Sequence, residues 1–209
     1  NSLFEANNNL IGADAKLATS KFMGNKNLGL MLYGLKSTTE GLRGNDLSFG
    51  AEASYPNDFL TLTLGHFQIQ DNFRAGVGFV PRIGIKDTYG EVVVAPRPGK
   101  WGILQYLLGT EFDFVNDFSG LLLTREIELT PLRIRFLSGD ELSISTTFQH
   151  EYLDQPFNIY GNDTIQVGEY DFQRSNIYLS SAQRRNLWLS SEYGWGSFFN
   201  GRREDIALA

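Results

Sequence analysis

A chain of 209 residues without a single cysteine can hold no disulfide, no thiolate nucleophile and no zinc–thiolate site. Its formal net charge of −6 opposes the basic stripe that a nucleic-acid binder presents. No run of eighteen apolar residues occurs, so no segment reads as a transmembrane helix. The mean hydropathy of −0.23 does not exclude a membrane-spanning β-barrel, because half of each barrel strand is polar.

The first segment with strand character is Leu10–Thr19, where Ile11, Ala13, Ala15 and Leu17 alternate with Gly12, Asp14 and Lys16. Gly24-Asn25-Lys26-Asn27 turns the chain into Leu28–Leu35, and a polar loop over Ser37–Asn45 leads to Leu47–Tyr55. In this third segment every odd position is apolar and every even one small or polar, with Glu52 at the centre of the polar set. Pro56-Asn57-Asp58 turns into Leu60–Phe67. Residues Asp71–Lys86 interrupt the rhythm with glycines and Pro81. Tyr89–Ala95 and Ile103–Phe114 follow, the latter with Leu104, Tyr106, Leu108, Phe112 and Phe114 on one side and Glu111 and Asp113 on the other. Further strands are expected at Leu121–Leu129, Leu132–Phe136, Leu142–Tyr152, Tyr170–Leu179 and Asn186–Trp195, with a turn at Asn200-Gly201-Arg202 into another.

No segment shows convincing helical periodicity, so the chain is expected to be all-β, with about ten or eleven antiparallel strands in one domain over residues 1–209. Alternation alone also fits a soluble β-sandwich or a lipocalin-like barrel. Strands of nine to eleven residues exceed the usual soluble length of about five or six, and suit a tilted crossing of about 30 Å of hydrocarbon. Aromatic residues at strand ends (Tyr55, Phe59, Trp101, Phe114, Phe118, Tyr193, Trp195, Phe198 and Phe199) suit interfacial girdles. The expected fold is therefore an antiparallel transmembrane β-barrel. Asn at position 1 and the non-aromatic ending Ile206-Ala207-Leu208-Ala209 are read as signs of a piece of a larger barrel.

Chemistry-bearing patterns are sparse. His66 and His150 are far apart and in no ligand-spaced cluster, and neither a P-loop nor a Gly-x-Ser-x-Gly elbow is present. Gly76-Val77-Gly78 lacks the remainder of a dinucleotide fingerprint. No catalytic residue, metal site or cofactor is expected. Glu52, Glu111, Asp113, Glu126 and Glu128 fall on polar strand faces, where Lys16, Arg133 and Arg135 can answer them across a lumen. Together with Asp14 and Arg82 these are the candidate lumen-facing or ligand-contacting residues. A pair of the carboxylates could also serve glycoside hydrolysis, which needs two such groups at a suitable separation. Asn162-Asp163-Thr164 matches an N-glycosylation sequon, and Asp163-Thr164-Ile165 a bacterial O-glycosylation triplet.

Four short stretches carry more than pattern: Gly78-Phe79-Val80-Pro81-Arg82, Leu137-Ser138-Gly139-Asp140-Glu141-Leu142, Gln155-Pro156-Phe157-Asn158-Ile159 and Val167-Gly168-Glu169-Tyr170-Asp171-Phe172. In this order and spacing, after the opening Leu10-Ile11-Gly12-Ala13-Asp14-Ala15, they resemble the C-terminal barrel domain of unknown function that follows a family-nine-type carbohydrate-binding domain in large Gram-negative envelope proteins. The resemblance implies an outer-membrane location and a role in anchoring or coupling a carbohydrate-binding envelope protein, with solute passage as a further expectation. The implied partners are outer-membrane lipid and glycan or other envelope proteins, and no nucleic acid. The competing reading is a soluble β-rich carbohydrate-binding module or a carboxylate-dependent glycan-active enzyme.

Overall fold

The computed structural model describes residues 7–76, 78–160 and 163–209, and every regular element among them is a β-strand. There are thirteen: β1 (Asn8–Phe22), β2 (Lys26–Thr39), β3 (Leu47–Pro56), β4 (Leu60–Ile69), β5 (Ile85–Val94), β6 (Ile103–Asp117), β7 (Leu122–Phe136), β8 (Glu141–Leu153), β9 (Phe157–Tyr160), β10 (Asp163–Ile165), β11 (Gly168–Ser180), β12 (Ser190–Phe198) and β13 (Gly201–Leu208). Eleven of them form one sheet in which each strand neighbours the next in the chain, while β9 and β10 form a separate hairpin inserted between β8 and β11. Among the described residues no ladder joins β13 to β1, so the sheet they form is not closed into a barrel.

The hairpin-by-hairpin order follows from the turn chemistry. Gly24, Gly120 and Gly139 have φ of 98°, 95° and 91° in the tight turns after β1, β6 and β7, a region glycine enters without the Cβ penalty. Between β5 and β6 the chain turns at Lys100-Trp101-Gly102, where Ile103 N–H donates to the Lys100 carbonyl at 2.9 Å.

The structure corrects several sequence-based boundaries. Leu121–Leu129 and Leu132–Phe136 are one strand, β7, whose register against β8 shifts between Leu129 and Leu132. Pro131 lies inside that irregularity, so the proline marks a bulge rather than a strand end. The expected strand Asn186–Trp195 begins only at Ser190, and β12 runs on to Phe198. Tyr193 and Trp195 therefore stand mid-strand, stacked at 5.3 Å, and not at a strand end. The β9–β10 hairpin lies in a stretch where the alternation predicts no strand. Asn162 of the sequon and Val77 of the glycine pair lie outside the described residues.

Two compact units can be distinguished. Unit 1 comprises Asn1–Pro56, Thr63–Gly90 and Phe114–Leu122; unit 2 comprises Asn57–Leu62, Glu91–Asp113 and Leu123–Ala209. Residues directly opposite in antiparallel strands share a face, so each ladder can be read as rows. In unit 1, Leu17–Leu30–Ala53, Ala15–Leu32–Ala51 and Ala13–Gly34–Phe49 lie on one face, while Lys16–Met31–Glu52 and Asp14–Tyr33–Gly50 lie on the other. In unit 2 an unbroken apolar row crosses five strands as Leu132–Ile144–Ile177–Tyr193–Ile206. The opposite face carries Glu128–Thr147–Arg174–Gly196–Arg203.

Among the described residues these apolar faces are exposed in part. Leu30, Leu32, Phe49, Leu129, Leu179 and Leu208 are all exposed. Among the described residues the buried apolar side chains are instead loop and strand-end residues such as Phe73, Ile85, Ala95, Ile103 and Ala182.

Candidate functional site

The polar face of unit 2 holds a cleft of about 400 Å³ between β7, β8, β11, β12 and β13. Gly194 of β12 lines it without a side chain of its own. A Cβ built at Gly194 would lie 2.7 Å from Asp205 Oδ2 and 3.1 Å from Arg174 Nη2. The glycine thus makes room for the Arg174–Asp205 ion pair that crosses it. Arg203 Nε donates to the same carboxylate at 3.0 Å, which leaves this corner with a net positive charge.

The other wall is acidic. Glu126 accepts a hydrogen bond from Gln149 Nε2 at 2.6 Å, Glu192 accepts one from Asn176 Nδ2 at 2.9 Å, and Glu128 lines the cleft beside Thr147. Among the described residues, Arg174 Nε and Asn176 Oδ1 are buried without a hydrogen-bond partner. The cleft therefore sets a positive corner beside an acidic wall in a lining of polar residues and glycine.

Glu126 and Glu128 are brought together here. Arg133 and Arg135 are not part of the cleft; both pair with Glu141 of β8, at 2.6 Å through Arg133 Nη2 and 3.2 Å through Arg135 Nε. Asp14, Lys16 and Glu52 share the polar face of unit 1, with Lys16 and Glu52 in one row through Met31. Glu52 Oε2 accepts a 2.7 Å hydrogen bond from the Tyr89 hydroxyl, whose ring fills the space above Gly65. Glu111 and Asp113 stand on β6 in unit 2, on the face opposite Leu104 and Leu108. Arg82 lies exposed in the connection between β4 and β5.

Arg174, Asn176, Glu192, Arg203 and Asp205 were not anticipated as a group. The one legible signal was Gly194 inside a strand, which marks a close approach of neighbouring groups. The histidines sit in local networks: His66 Nδ1 lies 2.8 Å from Thr88 Oγ1, and His150 Nδ1 lies 3.1 Å from Asp171 Oδ1. Among the described residues no group of three or more His, Asp or Glu could hold a metal ion. No helix of the structure is long and apolar enough to cross a membrane, which leaves crossing by strands open. Comparison with family models, curated proteins and solved structures returned no match.

Proposed function

We propose that this chain supplies membrane-spanning strands of an outer-membrane β-barrel, with its apolar rows against lipid and its polar rows toward an aqueous lumen. The observation that carries the reading is the pairing of strand length with an apolar face exposed at Leu30, Leu32, Phe49, Tyr193 and Ile206. A ten-residue strand such as β3 spans about 33 Å along its axis, or about 25 Å of depth at a tilt near 40°, which matches the apolar band of a barrel. The fifteen-residue β6 spans about 38 Å at the same tilt and extends beyond the hydrocarbon. In water an apolar row such as Leu132–Ile144–Ile177–Tyr193–Ile206 is an aggregation surface, whereas in a bilayer it is a solvated one.

A fully antiparallel barrel has an even number of strands, so an eleven-stranded open sheet becomes a barrel only when further strands join it. The motif resemblance adds anchoring of an envelope carbohydrate-binding module as the barrel's biological role, and that part of the reading rests on the motif residues alone. The polar cleft supports passage or holding of small polar solutes on the lumenal side. The test is refolding from urea with and without detergent micelles or lipid vesicles. The reading expects β-structure and heat-modifiable gel mobility only when an apolar phase is supplied. A soluble, folded monomer in plain buffer overturns it.

A further inference from the structure

Four connections of unit 2 are tied into one rim by hydrogen bonds. Ala95 N–H donates to the Phe59 carbonyl at 2.8 Å, and Arg97 grips Asp58 through Nε at 2.8 Å and Nη2 at 2.6 Å. Leu137 N–H donates to the Gly102 carbonyl at 2.8 Å. Asp140 then receives Arg185 through two nitrogens at 2.6 and 2.8 Å and the Ala182 N–H at 2.9 Å. Residues 57–59, 95–102, 137–140 and 181–189 are thereby held as neighbours.

This rim has an unusual composition for polar connecting segments. It exposes Phe59, Trp101, Leu137, Leu187, Trp188 and Leu189, with Trp101 at 82% and Leu187 at 86% of full exposure. Asp58 and Asp140 are each engaged by an arginine of the rim. Lys100 and Arg184 are exposed and, among the described residues, held in no ion pair. The rim therefore combines two indoles and several leucines with two uncommitted cations.

We propose that this rim docks into the anionic headgroup layer of a bilayer, with the indoles at the headgroup level and Lys100 and Arg184 on lipid phosphates. The proposal rests on the membrane-spanning reading and adds to it which end of unit 2 recognises lipid charge. Charge complementarity selects the occupant: an indole suits the boundary between hydrocarbon and water, and mobile phosphates need only a nearby cation rather than a shaped pocket. The Asp140–Arg185 clamp keeps the Trp188 loop beside the turn that carries Leu137, so the apolar groups enter together.

The experiment follows insertion of the full chain from dilute urea into phosphatidylcholine vesicles, with and without about one third phosphatidylglycerol, at low and high salt. Wild type is expected to favour the anionic vesicles at low salt and to lose that preference at high salt. The variant Lys100→Gln/Arg184→Gln is expected to lose about thirty-fold in partition into anionic vesicles, with little change in neutral ones. Arg202→Gln, a charge removed from the opposite end of β12 and β13, is the control and should leave the preference intact. Trp101→Ser/Trp188→Ser should weaken insertion into both vesicle types. Retention of the wild-type preference by the double glutamine variant, or a preference that persists at high salt, overturns the docking proposal. Folding of each variant in neutral detergent separates the two readings: failure of wild type to fold there sinks the spanning reading, whereas folding there without any anionic preference sinks only the rim.

Discussion

Replacing Leu108 by arginine tests the lipid-facing assignment with a built-in control, because Leu104 lies on the same face of β6. The two leucines are almost equally exposed, at 40% and 39%. They differ in depth. Leu108 lies two residues from Thr110 at the centre of the strand, and Leu104 lies six away. At about 2.6 Å of depth per residue for a tilted strand, these positions are about 5 Å and about 16 Å from the mid-plane. An arginine near the mid-plane of a lipid-facing barrel surface costs about 2–4 kcal/mol, falling to about 0–1 kcal/mol near the interface. Leu108→Arg should therefore lower the folding equilibrium in vesicles by about 30- to 800-fold, while Leu104→Arg changes it by less than about five-fold. Equilibrium urea titrations in lipid vesicles, followed by tryptophan emission and gel mobility, measure both. If the face met water, both substitutions would fall within about 0.5 kcal/mol of wild type. Equal effects at the two positions would refute the reasoning.

Gly194→Val places a side chain where Arg174 and Asp205 meet, and overpacking of this kind costs about 1–3 kcal/mol; the urea midpoint in detergent should fall accordingly. Tyr89→Phe removes the donor to Glu52, a bond to a charged acceptor worth about 1.5–3 kcal/mol; a double-mutant cycle with Glu52→Gln should return coupling of that sign, and additive effects would sink the assignment. Asp140 has its carboxyl held well below the usual carboxylate range, chiefly by hydrogen bonds from Arg185 and then by Ser138 and the Ala182 N–H. Because the folded-state value is the lower one, its stabilising contribution is complete above the unfolded value of about 3.9 and fades as pH falls through the folded one. The urea midpoints of wild type and Asp140→Asn should thus differ at neutral pH and converge as the solution becomes strongly acidic. A gap that widens on acidification would contradict the clamp.

Much of the strand pattern was legible in the residues. Leu47–Tyr55 alternates so strictly that β3 begins at the expected residue and overruns the expected end by one. Where a local signal had two meanings, the prediction failed. Pro131 reads as a strand breaker, yet the ladder to β8 tolerates it as a bulge. Asn186–Leu189 is apolar enough to pass for the start of a strand, but Leu189 N–H donates to the Ser181 hydroxyl at 2.8 Å and the segment stays in the loop. Glu126 and Glu128 were identifiable as polar-face residues, whereas their neighbours Arg174, Glu192 and Asp205 come from strands tens of residues away. Their association depends on register, which alternation within a single strand does not encode.

The sequence by itself determined an all-β chain with one oily and one polar face, because side-chain period is a local property of an extended backbone. Tertiary structure decided which rows line up, that Gly194 lines a charged cleft, that Arg133 and Arg135 serve Glu141, and that four connections fuse into one rim. Those outcomes require pairing between distant segments, and a one-residue shift of any ladder would send the same side chains to the other face.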